Sequence, residues 1–199
     1  MSDLTEVVAP PASGRRPLRL RRPVLRWLLS FVGFPAGGLA AWLLIGPVDD
    51  LVAALTGGLI TGAILGAVQA WALAEGRRRA SAWILATAVG LMSGLALGAS
   101  LVQFRTGLGD LIVQGAVSGA VVGAAQAVVL RRLGRLAVAW PLALSAIWAS
   151  GWAVTAAAGI QVEERFTVFG ASGALVATAL STVLPILIHR RHLAEKSAS

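Results

Sequence analysis

Cysteine is absent from the 199 residues, which excludes disulfides, thiolate metal sites and cysteine nucleophiles within this chain. Charge is scarce as well, at 13% of residues against about a quarter in an ordinary soluble domain. No Asp, Glu, Lys or Arg lies well inside any of the long apolar blocks, so the residues of a proton relay, cation site or voltage sensor are missing there. No phosphate loop, dinucleotide fingerprint or serine nucleophile with a histidine and an acid in reach is legible either. The chain is therefore expected not to be an enzyme and to carry no cofactor. His189 and His192 stand three residues apart in an arginine-rich tail; two histidines alone make a poor metal site, and they are read as solvated.

What is present is hydrocarbon. Hydrophobic residues make up 57% of the chain, gathered in blocks of roughly twenty residues. At 1.5 Å of rise per residue such a block crosses the ~30 Å apolar core of a bilayer, and a helix satisfies its own backbone hydrogen bonds there. The expected fold is all-α: a polytopic membrane protein of six transmembrane helices. The spans are read as about 25–46, 51–74, 81–102, 111–130, 136–158 and 166–188. They divide the chain into a disordered basic arm (1–23), a six-helix transmembrane domain (24–188) and a cytoplasmic tail (189–199).

The excess of positive charge, +8 at neutral pH, sits in short clusters between the apolar blocks, which speaks for membrane topology and against nucleic-acid binding. Fifteen of the seventeen Lys and Arg residues fall on one side of the alternation, leaving Arg105 and Arg165 on the other. Positive residues favour the cytoplasmic side, so both termini are expected in the cytoplasm of a cell whose plasma (inner) membrane holds the protein. Trp27, Trp71, Trp83 and Trp140 fall near that boundary and are read as interface anchors. The arm, with Pro10, Pro11, Pro17 and Pro23 beside Arg15, Arg16, Arg19, Arg21 and Arg22, is expected to stay unstructured. Its arginines serve topology or attract anionic lipid. The Arg-Arg pairs also suggest a twin-arginine export signal, but the apolar run after them is longer than a signal-peptide core and five more spans follow.

A repeat organises the middle of the chain. Gly58, Gly62, Gly66, Gln69, Leu73, Trp83 and Gly94 recur fifty-seven residues later as Gly115, Gly119, Gly123, Gln126, Leu130, Trp140 and Gly151. Trp27 and Gly38 repeat the eleven-residue spacing of Trp83 and Gly94. In the last span Gly173 matches Gly119 at an offset of fifty-four, with Leu180 where Gln126 would stand. Three helical hairpins of one ancestry, about 24–74, 80–130 and 136–188, are expected in a pseudo-threefold bundle of parallel repeats. The glycine rows, with Gly173, are read as a glycine zipper packing even-numbered spans together, since small residues let helix backbones approach in lipid.

Gln69 and Gln126 carry the strongest chemical argument. A buried carboxamide either bonds a neighbouring helix or holds a neutral solute or the edge of a cofactor, and Thr61 and Ser118 join them as candidate polar residues. Trp148 and Trp152, in mid-span, offer ring surfaces for a lipid or hydrophobic cofactor or else ordinary packing. The pattern G-x-x-x-G-x-x-x-G-x-x-Q-x-x-x-L followed by an arginine-bearing turn and a tryptophan resembles uncharacterised bacterial multi-pass membrane proteins built from such hairpins, a resemblance that implies no activity. A non-enzymatic scaffold or accessory protein is the expected function, with the lipid bilayer and a further membrane protein as partners. A channel or transporter for a small neutral solute and a lipid- or cofactor-binding protein are the alternatives.

Overall fold

The computed structural model describes residues 18–74, 76–159 and 168–197, and these residues form helices and no strands. In chain order the helices are α1 (Leu18–Leu29), a 3-10 turn (Ser30–Val32), α2 (Gly33–Ile45), α3 (Leu51–Leu73), α4 (Arg77–Leu101), α5 (Leu108–Leu130), a second 3-10 turn (Arg131–Leu133), α6 (Arg135–Ala157), α7 (Ala171–Leu180) and α8 (Val183–Ser197). Six stretches are long and apolar enough to cross a membrane: Arg21–Ile45, Leu51–Leu73, Arg77–Leu101, Leu108–Leu133, Arg135–Ala157 and Ala171–Arg191. The sequence thus located all six, and the protein is all-helical and consistent with a multi-pass membrane protein.

Local chemistry sets several of the boundaries. Asp50 caps α3 by accepting from Ala53 N at 2.7 Å. Pro35 supplies no N–H to the carbonyl four residues back at Phe31, and the chain tightens into the 3-10 turn just ahead of it. The same rule breaks the sixth span, expected to be one helix: Pro185 leaves Ser181 O without its α-helical donor, and Leu184 N reaches it instead at 3.0 Å, so the helix divides at Ser181–Thr182. The basic arm also differs from expectation at its end. Helix α1 starts at Leu18 and carries Pro23 inside it, so residues 18–23 are helical. The prolines and arginines of residues 1–17, and Glu163, Glu164 and Arg165, lie outside the described residues.

Consecutive spans pack on each other, and α1 and α2 also contact α7 and α8, which brings the sixth span back to the first. Small residues are buried where helices touch, beside large ones such as Leu65, Leu91 and Trp140, and many large aliphatic residues face outward. Ala41, Ala54, Ala174, Thr61 and Thr87 are fully buried, whereas Leu43, Leu44, Val52, Leu85, Val138 and Leu142 are exposed. The outward aliphatic residues suit lipid, and the buried small ones allow the close backbone approach that gains dispersion contacts there.

The glycine rows make those approaches, but with other partners than expected. A methyl group added to Gly58 would lie 2.8 Å from Met92 Cα, one on Gly62 would lie 2.7 Å from Ala88 Cα, and one on Gly66 would lie 3.0 Å from Ile84 Cα. Added to Gly115, Gly119 and Gly123, it would meet Trp148 O at 2.9 Å, the Leu144 carbonyl carbon at 2.9 Å and Pro141 Cα at 2.7 Å. Even-numbered spans therefore pack through these glycines against the next span in the chain, α3 on α4 and α5 on α6, and not on one another. Gly173 meets Gly151 of α6. The physical reason is connectivity: a short loop makes successive helices antiparallel neighbours, and the glycine face turns to the nearest backbone.

Candidate functional site

The two glutamines, the residues with the strongest chemical argument, are both buried and both bonded to indoles. Trp83 donates from Nε1 to Gln69 Oε1 at 3.2 Å, and Trp140 donates from Nε1 to Gln126 Oε1 at 2.8 Å. In each case the tryptophan stands fourteen residues after its glutamine, on the next span. Gln126 also donates from Nε2 to Thr87 Oγ1 at 3.0 Å, and Thr87 donates to Trp83 O at 2.9 Å. A hydrogen-bonded chain thus runs from α6 through α5 and α4 to α3. Buried polar groups need such partners, since an orphaned donor in this setting costs about 1–3 kcal/mol.

The third corner closes the first span on the last. Trp27 donates from Nε1 to both Thr178 O and Ser181 Oγ at 3.1 Å. Leu180, the sequence counterpart of Gln126, is exposed; the break at Ser181–Thr182 rotates it outward and brings the Ser181 hydroxyl to the indole instead. All three tryptophans, Gln69, Gln126 and Ser181 line one small cavity of about 10 Å³, the room of a single water.

These positions correct the reading of the tryptophans. Trp27, Trp83 and Trp140 are 1–2% exposed and point their polar edge into the bundle; Trp71 alone of the four faces outward, with the Arg26 guanidinium 4.7 Å over its ring. The sequence sets a tryptophan's depth along its helix, while the rotation of that helix against its neighbours decides which way the ring faces. The glycine paired with Trp27 also shifts, from Gly38 to Gly37, whose added methyl would lie 3.1 Å from Thr61 Cα just as Gly94's would lie 3.0 Å from Ser118 Cα. The 3-10 turn explains the missing residue. Ten residues with three of them 3-10 rise about 16.5 Å, as do eleven α-helical residues, with a rotational difference of about 40°. Ser30, correspondingly, bonds Trp27 O three residues back where Thr87 bonds Trp83 O four back.

Thr61 and Ser118 are buried but lie away from this cavity. Thr61 donates to Gly37 O at 3.1 Å across the α2–α3 contact, and Ser118 Oγ, at the α4–α5 contact, has no hydrogen-bond partner. Beyond the cavity the interior is aromatic. Phe169 packs against Phe34 at a centroid distance of 4.8 Å, Trp148 at 5.6 Å and Trp152 at 6.1 Å, the last two edge-on. Trp148 and Trp152 are thus covered by phenylalanine rings.

Thr87, Ser181, Phe34 and Phe169 were missed at the sequence level. Thr87 had a signal, since it is a polar residue one helical turn after Trp83 inside an apolar span. Ser181 had none, because its partner is Trp27. His189 lies on α8 with a buried Nε2, so it is not part of a solvated tail, and the His192 side chain is outside the described residues. No group of three or more metal-ligating side chains occurs among the described residues. No protein-family model, curated protein or solved structure matches the chain.

Proposed function

We propose that this chain is a non-enzymatic scaffold or accessory protein of a bacterial inner membrane, a sealed six-span bundle that carries no solute along its axis. The observation that carries this reading is the closure of the interior. Among the described residues, three indoles and their polar partners enclose a cavity with room for about one water, and the Phe34–Trp148–Phe169 cluster packs beside it. A solute path would need a continuous polar lumen, whereas Thr61 and Ser118 stand apart from Gln69 and Gln126. The arginine asymmetry supports an orientation with both termini in the cytoplasm. Descent from three hairpins, arranged as a pseudo-threefold, is supported by glycine contacts that recur at the fifty-seven-residue offset of the sequence repeat.

The test is solute flux. Liposomes containing the purified chain are expected to swell in glycerol or urea no faster than empty liposomes. Faster swelling that Gln126→Leu abolishes would overturn the sealed-bundle reading in favour of a channel.

A further inference from the structure

The arginine-rich end of the bundle is not flat. A cleft of about 270 Å³ opens there between α3, α4, α5 and α8, and five guanidinium groups line it: Arg78, Arg79, Arg131, Arg132 and Arg191. Its remaining lining is almost wholly apolar, including Leu73, Trp83, Leu130, Leu133 and Ile188. A second cleft of about 190 Å³ adjoins it across Leu73 and Ile188 and is lined by Arg22, Arg26 and His189. Among the described residues no carboxylate lines either cleft. Arg26 Nε and His189 Nε2, both in the smaller cleft, are buried without a hydrogen-bond partner. Arg26 is already held in place, because its guanidinium stacks on Trp71 and donates to Trp71 O.

These features call for one kind of occupant. Guanidinium groups such as those of Arg78, Arg131 and Arg132, gathered around a concave surface, repel one another and favour an anion between them, and their planar forks match phosphate oxygens. The apolar floor beneath them has no use for a free inorganic ion but suits hydrocarbon. A topology signal alone would need neither a cleft nor an apolar floor, and every arginine at this end would then be interchangeable. We propose that these adjoining clefts bind the phosphate headgroup of an anionic membrane lipid. Arg78, Arg131 and Arg132 take the phosphate in the larger cleft, the first acyl carbons lie along Leu73, Leu133 and Ile188, and Arg22 and Arg26 extend the positive field from the smaller one. The proposal rests on the membrane reading above but not on the bundle's being sealed.

The experiment uses the full chain, purified in mild detergent and stripped of lipid, then offered phosphatidylglycerol, phosphatidylcholine or inorganic phosphate alone. Retained lipid is counted by native mass spectrometry, and affinity is followed by the shift in thermal unfolding. Phosphatidylglycerol is expected to be retained and to stabilise, and phosphatidylcholine and free phosphate are not. The triple variant R78Q/R131Q/R132Q is expected to bind phosphatidylglycerol roughly 100-fold more weakly, at about fivefold per arginine. The control triple R77Q/R135Q/R190Q removes the same charge from the same arginine-rich end but outside the clefts, and it is expected to bind as the parent does. Equal losses in the two triples would overturn the proposal, as would equal retention of phosphatidylcholine. Stabilisation by inorganic phosphate matching that of the lipid would overturn the lipid as occupant. Solute flux measured on the same preparation reads the sealed bundle separately, so a leaky protein that still distinguishes the triples would defeat that reading and leave this one standing.

Discussion

The corners at Trp83–Gln69 and Trp140–Gln126 are built alike, and the corner at Trp27 does the same work with different parts. In the first two, an indole N–H meets a carboxamide fourteen residues earlier on the preceding span. At Trp27 the indole meets a backbone carbonyl and a serine hydroxyl more than 150 residues away, where a proline-broken helix has turned its leucine outward. The fold therefore preserves a satisfied indole at each corner and lets the acceptor vary. That is what the energetics favour: a buried N–H without a partner costs more than the choice between acceptors changes.

The comparison can be broken most severely where backbones touch. Gly119→Ala puts a methyl group against the Leu144 carbonyl in α6, a backbone atom that cannot swing aside, and is expected to lower stability by about 3 kcal/mol, the upper end for overpacking. Loss of the folded fraction during thermal unfolding in mild detergent measures it, and an unchanged midpoint would show that α5 and α6 can part freely.

The next largest effect separates the two similar corners from each other. Gln126→Leu strands Trp140 Nε1 and takes a partner from Thr87, whereas Gln69→Leu strands Trp83 Nε1 alone among the bonds seen here. Costs of about 2 and about 1 kcal/mol are expected, near the top and the middle of what buried hydrogen bonds contribute inside membrane bundles. Adding Trp140→Phe to Gln126→Leu removes the stranded donor, so the double variant is expected to lose less than the two single losses added together. Strict additivity in that double-mutant cycle would show that the pair does not interact.

The smallest effect belongs to the divergent corner. Ser181→Ala leaves Trp27 its bond to Thr178 O, and a loss under about 0.5 kcal/mol is expected. A loss as large as that of Gln69→Leu would mean that the serine, and not the carbonyl, carries the contact.

Much of this was legible in the residues. The six spans follow from apolar length, and the glutamine and tryptophan of each regular corner appear in the repeat at a fixed spacing, whereas the breaks at Pro35 and Pro185 fall in spans read as single helices. Their pairing was open to reading as well, since one short turn links the two helices. The direction of the rings was not, and three tryptophans taken for interface anchors are interior donors. The zipper's partner was misjudged for a related reason: four-residue spacing shows that glycines share a face but not which helix lies against it.

The sequence by itself determined where the chain is helical, which positions are small enough for backbones to meet, and which end holds the arginines, because each depends on residues within one turn or one span of each other. Tertiary structure alone decided that Trp27 closes the first span on the sixth, that Leu180 gives way to Ser181, and that arginines from three separate segments surround one cleft. Those outcomes depend on how the helices are rotated about their own axes and how the bundle closes. Contacts among all the spans together set both, so no single stretch of sequence contains them.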